Sequence, residues 1–238
     1  MSTNWIKYWK KECLWKNSGL WKQNAKFFIA KSKALFDLDK NSSVLNIGCG
    51  SGYLEELLAP KVKKIHSVDI SEQFLAICKS RCSEYDNVTA SLLGNDYTDL
   101  SMVNDKFSVI ICIGVIEYFK DIDEIKKLIL SAQKIALPGA KMFIGDLPAK
   151  RNMPGFLWDA ACSFFQSIRY MYLWSFLTTS IYFLLNKSSY RSLLKKEKLL
   201  FMTTEKLKSL ISELKLNAKI IDKGLSVYAN RTSILIKF

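Results

Sequence analysis

The chain has 238 residues, of which 49% are apolar, and it carries 35 Lys and Arg against 22 Asp and Glu, a formal net charge of +13. This length and hydrophobicity support one domain with a sizeable core and exclude an intrinsically disordered chain. Six Cys residues are too sparse for a disulfide-stapled miniprotein, and a single His without a Cys-x-x-Cys pair leads us to expect no metal site. The N-terminus has no apolar run typical of a secretory signal, so we expect a cytoplasmic protein.

The positive charge is unevenly distributed. Residues 1–40 hold nine basic and three acidic residues, residues 41–150 hold twelve and fourteen, and residues 151–238 hold fourteen and five. An isoelectric point near 9.4 suggests phosphate-bearing partners, either nucleic acid or an anionic membrane. Because the excess lies in the flanks of the chain, beside an aromatic segment, it favours a membrane surface over nucleic acid.

The pattern of apolar residues predicts alternating strands and helices after an N-terminal helical segment at residues 3–38. The predicted strands cover residues 44–47, 64–69, 87–93, 107–113, 140–146, 218–222 and 232–238. The predicted helices cover residues 52–59, 71–84, 121–136 and 205–214. Such alternation predicts a parallel, doubly wound sheet. The last two strands are joined by only about ten residues, which predicts an antiparallel hairpin, because a parallel crossover needs a dozen or more.

An aromatic segment interrupts this alternation at residues 155–186. Residues 170–186 carry no charge, and five basic residues follow: Lys187, Arg191, Lys195, Lys196 and Lys198. An uncharged stretch of 17 residues is at the short limit for a transmembrane span. We therefore favour an interfacial helix pair whose basic residues meet anionic headgroups. Packing of the segment on the core or on a second subunit is an equal alternative.

Residues 44–52, Val-Leu-Asn-Ile-Gly-Cys-Gly-Ser-Gly, join a buried strand to a helix through a glycine-rich turn. Glycines allow a ligand to approach the backbone closely, and the free N–H groups of the helix N-terminus suit an anionic group. Asp69 follows at the end of the second strand, where an acid accepts hydrogen bonds from ribose hydroxyls. The pattern predicts a nucleoside-containing cofactor at the carboxyl edge of a parallel sheet.

The turn departs from the dinucleotide-binding fingerprint, because Tyr53 stands where that fingerprint has its third glycine. The chain instead resembles class I S-adenosylmethionine-dependent methyltransferases. The resemblance covers about residues 40–150 and the closing strands. It rests on five motifs in order, at residues 44–52, 67–71, 94–97, 113–118 and 137–139. It implies S-adenosylmethionine as cofactor and S-adenosylhomocysteine as product. The residues it implies for cofactor binding are Asn46, Gly48, Gly50, Gly52, Asp69, Ile70, Asp96, Tyr97 and Ile113.

The resemblance also implies the fold: α/β, Rossmann-like and doubly wound, with a mostly parallel seven-stranded sheet and an antiparallel C-terminal hairpin. The whole chain, residues 1–238, is then one methyltransferase domain. Its parts are an N-terminal helical cap (1–40), a cofactor-binding core (41–150), an aromatic and basic helical lid between strands five and six (151–200), and a closing helix with strands (201–238).

Further implied roles concern single residues. Asp69 would bind the ribose, Ile70 would lie against adenine, and Asp96 would meet the adenine amino group with Tyr97 nearby. The fourth motif has the form found in small-molecule and quinone-type methyltransferases, which makes Glu117 and Tyr118 substrate-side candidates. No residue has the signature of a catalytic base. Two residues of the N-terminal cap, Tyr8 and Trp9, are candidates for closing over the cofactor.

Three positions depart from the family pattern, of which Ala140, where a second Gly is common, is the mildest. Asn46 stands where the family has an acid that helps to bind the cofactor's amino group, so either the affinity is lower or another acid substitutes. Tyr118 replaces a common His, which removes a frequent candidate base. We expect methyl transfer to a small or lipid-linked acceptor, in the cytoplasm or peripherally on the cytoplasmic face of a membrane. The alternatives are an RNA methyltransferase and a catalytically silent, membrane-associated relative.

Overall fold

The computed structural model describes residues 1–11, 19–148, 174, 177, 181, 189–221, 225 and 231–238. The helices are α1 (Thr3–Lys11), α2 (Gly19–Phe36), α3 (Tyr53–Leu58), α4 (Glu72–Arg81), α5 (Ile122–Lys134), α6 (Ser189–Lys196) and α7 (Thr204–Glu213). The strands are β1 (Ser43–Ile47), β2 (Lys64–Asp69), β3 (Val88–Leu92), β4 (Phe107–Ile113), β5 (Ala136–Pro148), β6 (Asn217–Ile221) and β7 (Arg231–Lys237). Short 3-10 turns follow α3 at Ala59–Lys61 and β4 at Ile116–Tyr118.

Within the described part of the chain, seven strands form one sheet in the order β3-β2-β1-β4-β5-β7-β6. Strands β1 to β5 pair in parallel, whereas β7 is antiparallel to both β5 and β6. The predicted parallel sheet and antiparallel C-terminal hairpin are therefore confirmed. Because β1 has β2 on one side and β4 on the other, the topological switch point of the sheet, where the ligand crevice of such folds lies, is at the carboxyl ends of β1 and β4.

Burial on both faces explains why the central strands are apolar. In β4 only the second and last residues are partly exposed. Alternate side chains of β1 enter two different cores. Leu45 and Ile47 lie in the cluster that includes residues of α5 and α7, whereas Val44 packs in the cluster with Phe28 of α2. Helices therefore cover the sheet on both sides, and its carboxyl edge is left for a ligand.

Side-chain caps define where several helices begin. Asp121 accepts hydrogen bonds from two backbone N–H groups at the start of α5, and Ser71 and Thr203 accept one each at the starts of α4 and α7. The buried side chains of α5 recur with helical spacing at Ile125, Leu128, Ile129 and Ala132. This stripe holds α5 on one face of the sheet.

The motif at residues 137–139, between the predicted helix 121–136 and the predicted strand 140–146, is instead a bulge inside β5. The pairing of β5 with β4 changes register between Phe107 and Val109, so that β5 holds extra residues opposite β4. Gly139, with φ 77°, donates its N–H to the carbonyl oxygen of Phe238 at 3.0 Å. The bulge is therefore hydrogen-bonded to the end of β7, although residues 137–139 are exposed, and the prediction that the strand begins only after them is wrong.

Two parts of the sequence prediction extend beyond the described residues. The N-terminal helical segment contains α1 and α2, but residues 12–18 lie outside the description. Most of the lid expected at residues 151–200 does so as well, so the membrane-facing helix pair stays a prediction. Among the helices that the structure does describe, none is both long enough and apolar enough to cross a bilayer.

Candidate functional site

The glycine-rich loop follows β1 at the carboxyl edge of the sheet. Gly48, Gly50 and Gly52 have φ angles of 78°, 52° and 77°, a region that residues with side chains rarely adopt. The loop turns back over β2, because the N–H groups of Gly48 and Cys49 donate to the carbonyl oxygen of Val68 at 2.8 and 3.3 Å. The backbone of the loop therefore lines the crevice between β1 and β4.

Close neighbours fix the path of this loop. A Cβ atom on Gly48 would overlap Cγ2 of Val115, in the segment that follows β4. A Cβ atom on Gly52 would lie 2.8 Å from the Cα atom of Cys78 in α4. Side chains are therefore excluded at both positions by contact as well as by conformation.

Asp69 ends β2 and is the buried acid that the sequence predicted for the site. Its Oδ2 accepts a hydrogen bond from the N–H of Gly50 at 3.0 Å, and its Oδ1 accepts from the N–H of Ser71 at 2.9 Å and from the hydroxyl of Tyr97 at 3.2 Å. Burial raises the pKa of Asp69, although these donors oppose the shift. Burial and the nearby Asp69 also raise the pKa of Tyr97 well above its ordinary value, so the phenol remains a donor.

A second buried carboxylate, that of Glu55 on α3, lies near the glycine loop. The residue is 1% exposed, and its Oε1 accepts hydrogen bonds from Nδ2 of Asn46 at 2.6 Å and from Oγ of Ser67 at 2.7 Å. Its Oε2 is buried without a hydrogen-bond partner among the described residues. Burial raises the pKa of Glu55, and the two donors oppose the shift. Within the described ranges, no ion pair joins Glu55 or Asp69 to a Lys or Arg.

Two thiols lie beside this carboxylate. The sulfur atoms of Cys49 and Cys78 and a carboxylate oxygen of Glu55 are all within 4.8 Å of one another. A hydrogen bond with Cys78 lowers the pKa of Cys49, but burial and the acids Asp69 and Glu55 raise it, to about 12. The hydrogen bond with Cys49 and burial raise the pKa of Cys78. Both thiols are therefore protonated at neutral pH, and a protonated thiol is a weak nucleophile and a weak metal ligand.

Aromatic side chains from the N-terminal helices cover the crevice. The ring of Trp21 on α2 lies 3.2 Å from the position that a Cβ atom on Gly50 would take. The ring centroid of Phe74 on α4 is 5.7 Å from that of Trp21 and 6.3 Å from that of Trp9 on α1. The two N-terminal helices thus pack against α4 and the glycine loop, on top of the predicted cofactor site.

Tyr118, a predicted substrate-side residue, lies under the same aromatic layer. Its ring centroid is 4.7 Å from that of Trp5 and 5.3 Å from that of Trp9. Tyr8 packs edge-on against Trp9 at 5.1 Å. The indole N–H of Trp9 is buried without a hydrogen-bond partner among the described residues. Trp9 therefore brings an unsatisfied donor to the covered crevice.

Glu117, the other substrate-side candidate, is held in an ion pair. Its Oε2 accepts a hydrogen bond from Nη1 of Arg231 at 2.5 Å. The same Nη1 donates to the carbonyl oxygen of Asp146 at 2.8 Å, and Nε of Arg231 lies 3.8 Å from Oδ1 of Asp146. Asp146 has φ 65°, an uncommon conformation for a residue other than glycine. Glu117 would have to leave Arg231 before it took a proton from a substrate.

The remaining predicted residues differ in exposure. Ile70 is fully buried in the core cluster next to the site. Asp96 is exposed, and its carboxylate accepts a hydrogen bond from the N–H of Thr98 at 2.8 Å within its own turn. Ile113 is half-buried at the end of β4 and pairs with Gly145 of β5. The structure thus brings Asp69 and Tyr97 to the glycine loop, whereas the exposed carboxylate of Asp96 is hydrogen-bonded within its own turn.

Sequence reasoning missed Glu55, Trp21 and Arg231. The helix α3 has six residues, so its periodicity is too short to separate a buried Glu from a surface one. Trp21 is one of many bulky apolar residues near the N-terminus. Arg231 is far from Glu117 in the sequence, and the two come together only because β7 pairs with β5 in the sheet. One signal for Glu55 was present, since the uncharged Asn46 left the carboxyl end of β1 without an acid.

Comparisons with known proteins agree with the motifs. Residues 44–139 match the sequence profile of a family described as a methyltransferase domain. The chain is 33% identical over 108 residues to chondramide synthase cmdD of Chondromyces crocatus, across 44% of this chain and 3% of that protein. It is 27% identical over 119 residues to the ubiquinone biosynthesis O-methyltransferase of Coxiella burnetii, across 50% of this chain and 48% of that protein. The matches thus span about half the length of these curated relatives or less.

Among solved structures, the chain is similar to the N-methyltransferase NodS from Bradyrhizobium japonicum WM9 in complex with S-adenosyl-L-homocysteine. The TM-score is 0.57 at 15% sequence identity, and the similarity covers 98% of this chain and 95% of that one. At this level of identity, the likeness establishes the fold.

Proposed function

We propose that the protein is a class I S-adenosylmethionine-dependent methyltransferase, because residues 44–139 match the profile of a methyltransferase domain, and that it transfers a methyl group from S-adenosylmethionine to a small-molecule acceptor. The observation that carries the proposal is the position of Asp69 against the glycine loop, at the carboxyl ends of β1 and β2. A carboxylate offers about four acceptor positions, and three donors already use Asp69. Capacity therefore remains for a ribose hydroxyl.

The buried groups around the loop suit this cofactor, which has a positive sulfonium, a positive ammonium and an adenosine moiety. Asp69 and Glu55 are acidic, and neither is paired with a Lys or Arg in the described part of the chain. Six buried side-chain polar atoms have no hydrogen-bond partner among the described residues, and three of them belong to residues of this site: Nε1 of Trp9, Oγ of Ser51 and Oε2 of Glu55. A polar ligand in the crevice would supply partners for such atoms, whose isolation is otherwise costly.

We assign the following roles. Asp69 holds the ribose, and the loop at Gly48, Gly50 and Gly52 receives the amino-acid moiety. Ile70, Asp96, Tyr97 and Ile113 surround the adenine, and Asn46 accepts a hydrogen bond from the ammonium group. When bound, the cofactor supplies an activated methyl group. The protein then has to align the acceptor and exclude water, which the aromatic layer over the crevice, including Tyr8 and Trp9, is suited to do.

Glu117 and Tyr118 are proposed to face the acceptor, because they follow β4 at the carboxyl edge. The ion pair with Arg231 makes Glu117 suited to orient an acceptor rather than to take its proton. The name of one relative, an O-methyltransferase of ubiquinone biosynthesis, favours a small molecule as acceptor.

A lipid-linked acceptor at an anionic membrane is the finer form of the proposal. It rests on the aromatic segment at residues 155–186 and on the five basic residues that follow it, of which Lys196 and Lys198 are exposed. Flotation with anionic liposomes would compare the wild type with the variant in which Lys187, Arg191, Lys195, Lys196 and Lys198 are all Gln. We expect less of the variant than of the wild type to float with the liposomes. Equal amounts of the two proteins in the liposome fraction would reject the membrane role of these charges.

Transfer of labelled methyl from S-adenosylmethionine tests the function itself. The protein would be incubated with a cell extract divided into an organic-solvent fraction and an RNA fraction. We expect label in the organic-solvent fraction, and we expect its loss in the Asp69→Ala variant. Label in RNA alone would favour the RNA methyltransferase alternative, and label in neither fraction would favour a catalytically silent relative.

A further inference from the structure

The amide of Asn46 is oriented by Glu55. Asn46 is the fourth residue of β1, immediately before the residue that leads into the glycine loop. Its Nδ2 donates to Oε1 of Glu55, and the hydroxyl of Ser67 donates to the same oxygen. This oxygen is an acceptor whether or not Glu55 carries a proton on Oε2. The amide can therefore satisfy Glu55 only through Nδ2, which leaves Oδ1 of Asn46 as the acceptor for another group.

The carboxylate of Glu55 lacks a positive partner. It is 1% exposed, its Oε2 has no hydrogen-bond partner among the described residues, and no described Lys or Arg pairs with it. An isolated buried carboxylate is costly unless a cation or hydrogen-bond donors compensate it. Asn46 and Ser67 compensate one oxygen only. The arrangement is thus suited to a ligand that brings a positive group to the end of β1.

We propose that Glu55 is a positioning residue for the cofactor's ammonium group: it turns Oδ1 of Asn46 towards that group and supplies the negative charge that Asn46 lacks. In this assignment the acid of the site lies on α3 instead of β1, and Asn46 relays its effect. The inference rests on the proposed function, because it concerns the amino-acid moiety of S-adenosylmethionine.

Two probes separate this role from a general structural one. S-adenosylhomocysteine carries the ammonium group, whereas 5′-methylthioadenosine has the same adenosine and thioether but no amino-acid moiety. Titration calorimetry would measure the dissociation constants of both for the full chain. Glu55→Gln keeps the shape and an acceptor oxygen and removes the charge. We expect this substitution to raise the dissociation constant of S-adenosylhomocysteine by roughly tenfold or more, as expected for the loss of an interaction with a charged group. The dissociation constant of methylthioadenosine should stay nearly unchanged.

A second variant returns the acid to β1. Asn46→Asp combined with Glu55→Gln restores one carboxylate to the pair, and we expect it to regain most of the affinity for S-adenosylhomocysteine. Asn46→Asp alone would set two buried carboxylates against each other and is expected to destabilise the fold without gaining affinity. Glu84→Gln, at an exposed position away from the pair, is the matched control for loss of one negative charge and should not alter either constant.

The outcomes are distinct. The inference is overturned if Glu55→Gln weakens the binding of both probes equally, or of neither, and the double variant regains no affinity for S-adenosylhomocysteine. Glu55 then has no role towards the ammonium group. If the wild type binds neither probe at millimolar concentration, the proposed function itself fails. Selective weakening of S-adenosylhomocysteine with recovery in the double variant supports the inference.

Discussion

At the scale of single residues, the site contains two buried acids, of which the sequence predicted only one. Asp69 was predictable, because a strand followed by an acid at a set distance from a glycine-rich turn is a local pattern. Glu55 was not, because its burial depends on Asn46 and Ser67, which come from two different strands. The exposed setting of Asp96 was likewise beyond local reasoning, since it depends on how the loop after β3 folds on itself.

The raised pKa of Glu55 predicts how its replacement changes stability with pH. Burial raises this pKa above its ordinary value of 4.5, so the folded protein holds the proton more tightly than the unfolded chain does. Stability from this group is fully present below the ordinary pKa and is lost as the pH rises through the folded-state pKa. Gln does not titrate. Urea unfolding between about pH 4 and pH 8 should therefore show Glu55→Gln gaining stability relative to the wild type as the pH rises; a constant difference would contradict this.

Gly48 should not tolerate a side chain. Its φ is 78°, and a Cβ atom would overlap Val115, so we expect Gly48→Ala to cost about 1–3 kcal/mol of unfolding free energy. Denaturant unfolding would measure this cost. Gly94→Ala is the control, because nothing lies within 4 Å of a Cβ atom there, and it should change stability by less than about 0.5 kcal/mol. Equal effects of the two substitutions would refute the steric explanation.

At the scale of elements, the alternation of apolar runs predicted the strands closely, because buried parallel strands are apolar almost throughout. The bulge in β5 was not predictable, because it arises from the register between β4 and β5 and from pairing with the end of β7. The ends of helices depend on local chemistry, and α7 shows this well. The N–H of Leu216 donates to the carbonyl of Ile211 at 2.9 Å, and the N–H of Lys215 donates to that of Ser212 at 3.2 Å.

This C-terminal motif of α7 normally holds glycine at the position of Lys215, which has φ 50° and is exposed. We expect Lys215→Gly to stabilise the protein by up to about 1 kcal/mol, because glycine removes the strain of the left-handed conformation. Lys208→Gly, at an exposed interior position of the same helix, should instead destabilise it by about 1 kcal/mol. Thermal unfolding of both variants tests this, and changes of the same sign would contradict it.

At the scale of the whole molecule, the apolar pattern predicted seven strands in a doubly wound sheet, and the family resemblance implied the same fold. Neither the apolar pattern nor the resemblance predicted how α1 and α2 pack against α4, because contacts such as that of Trp21 with Gly50 join distant parts of the chain. The net charge of +13 has a limited meaning at this scale. Residues 41–150, which hold both buried acids, have more acidic than basic residues, and this suits a cationic cofactor.

Calorimetric titration of the full chain with S-adenosylhomocysteine is the most direct test of the central claim, that the crevice at β1 and β4 binds this class of cofactor. NAD, with the same adenosine moiety, serves as the competing ligand. We predict saturable binding of one S-adenosylhomocysteine per chain, with a rise in melting temperature at saturating ligand, and no comparable binding of NAD. No binding of S-adenosylhomocysteine at millimolar concentration, or preferential binding of NAD, would contradict the claim.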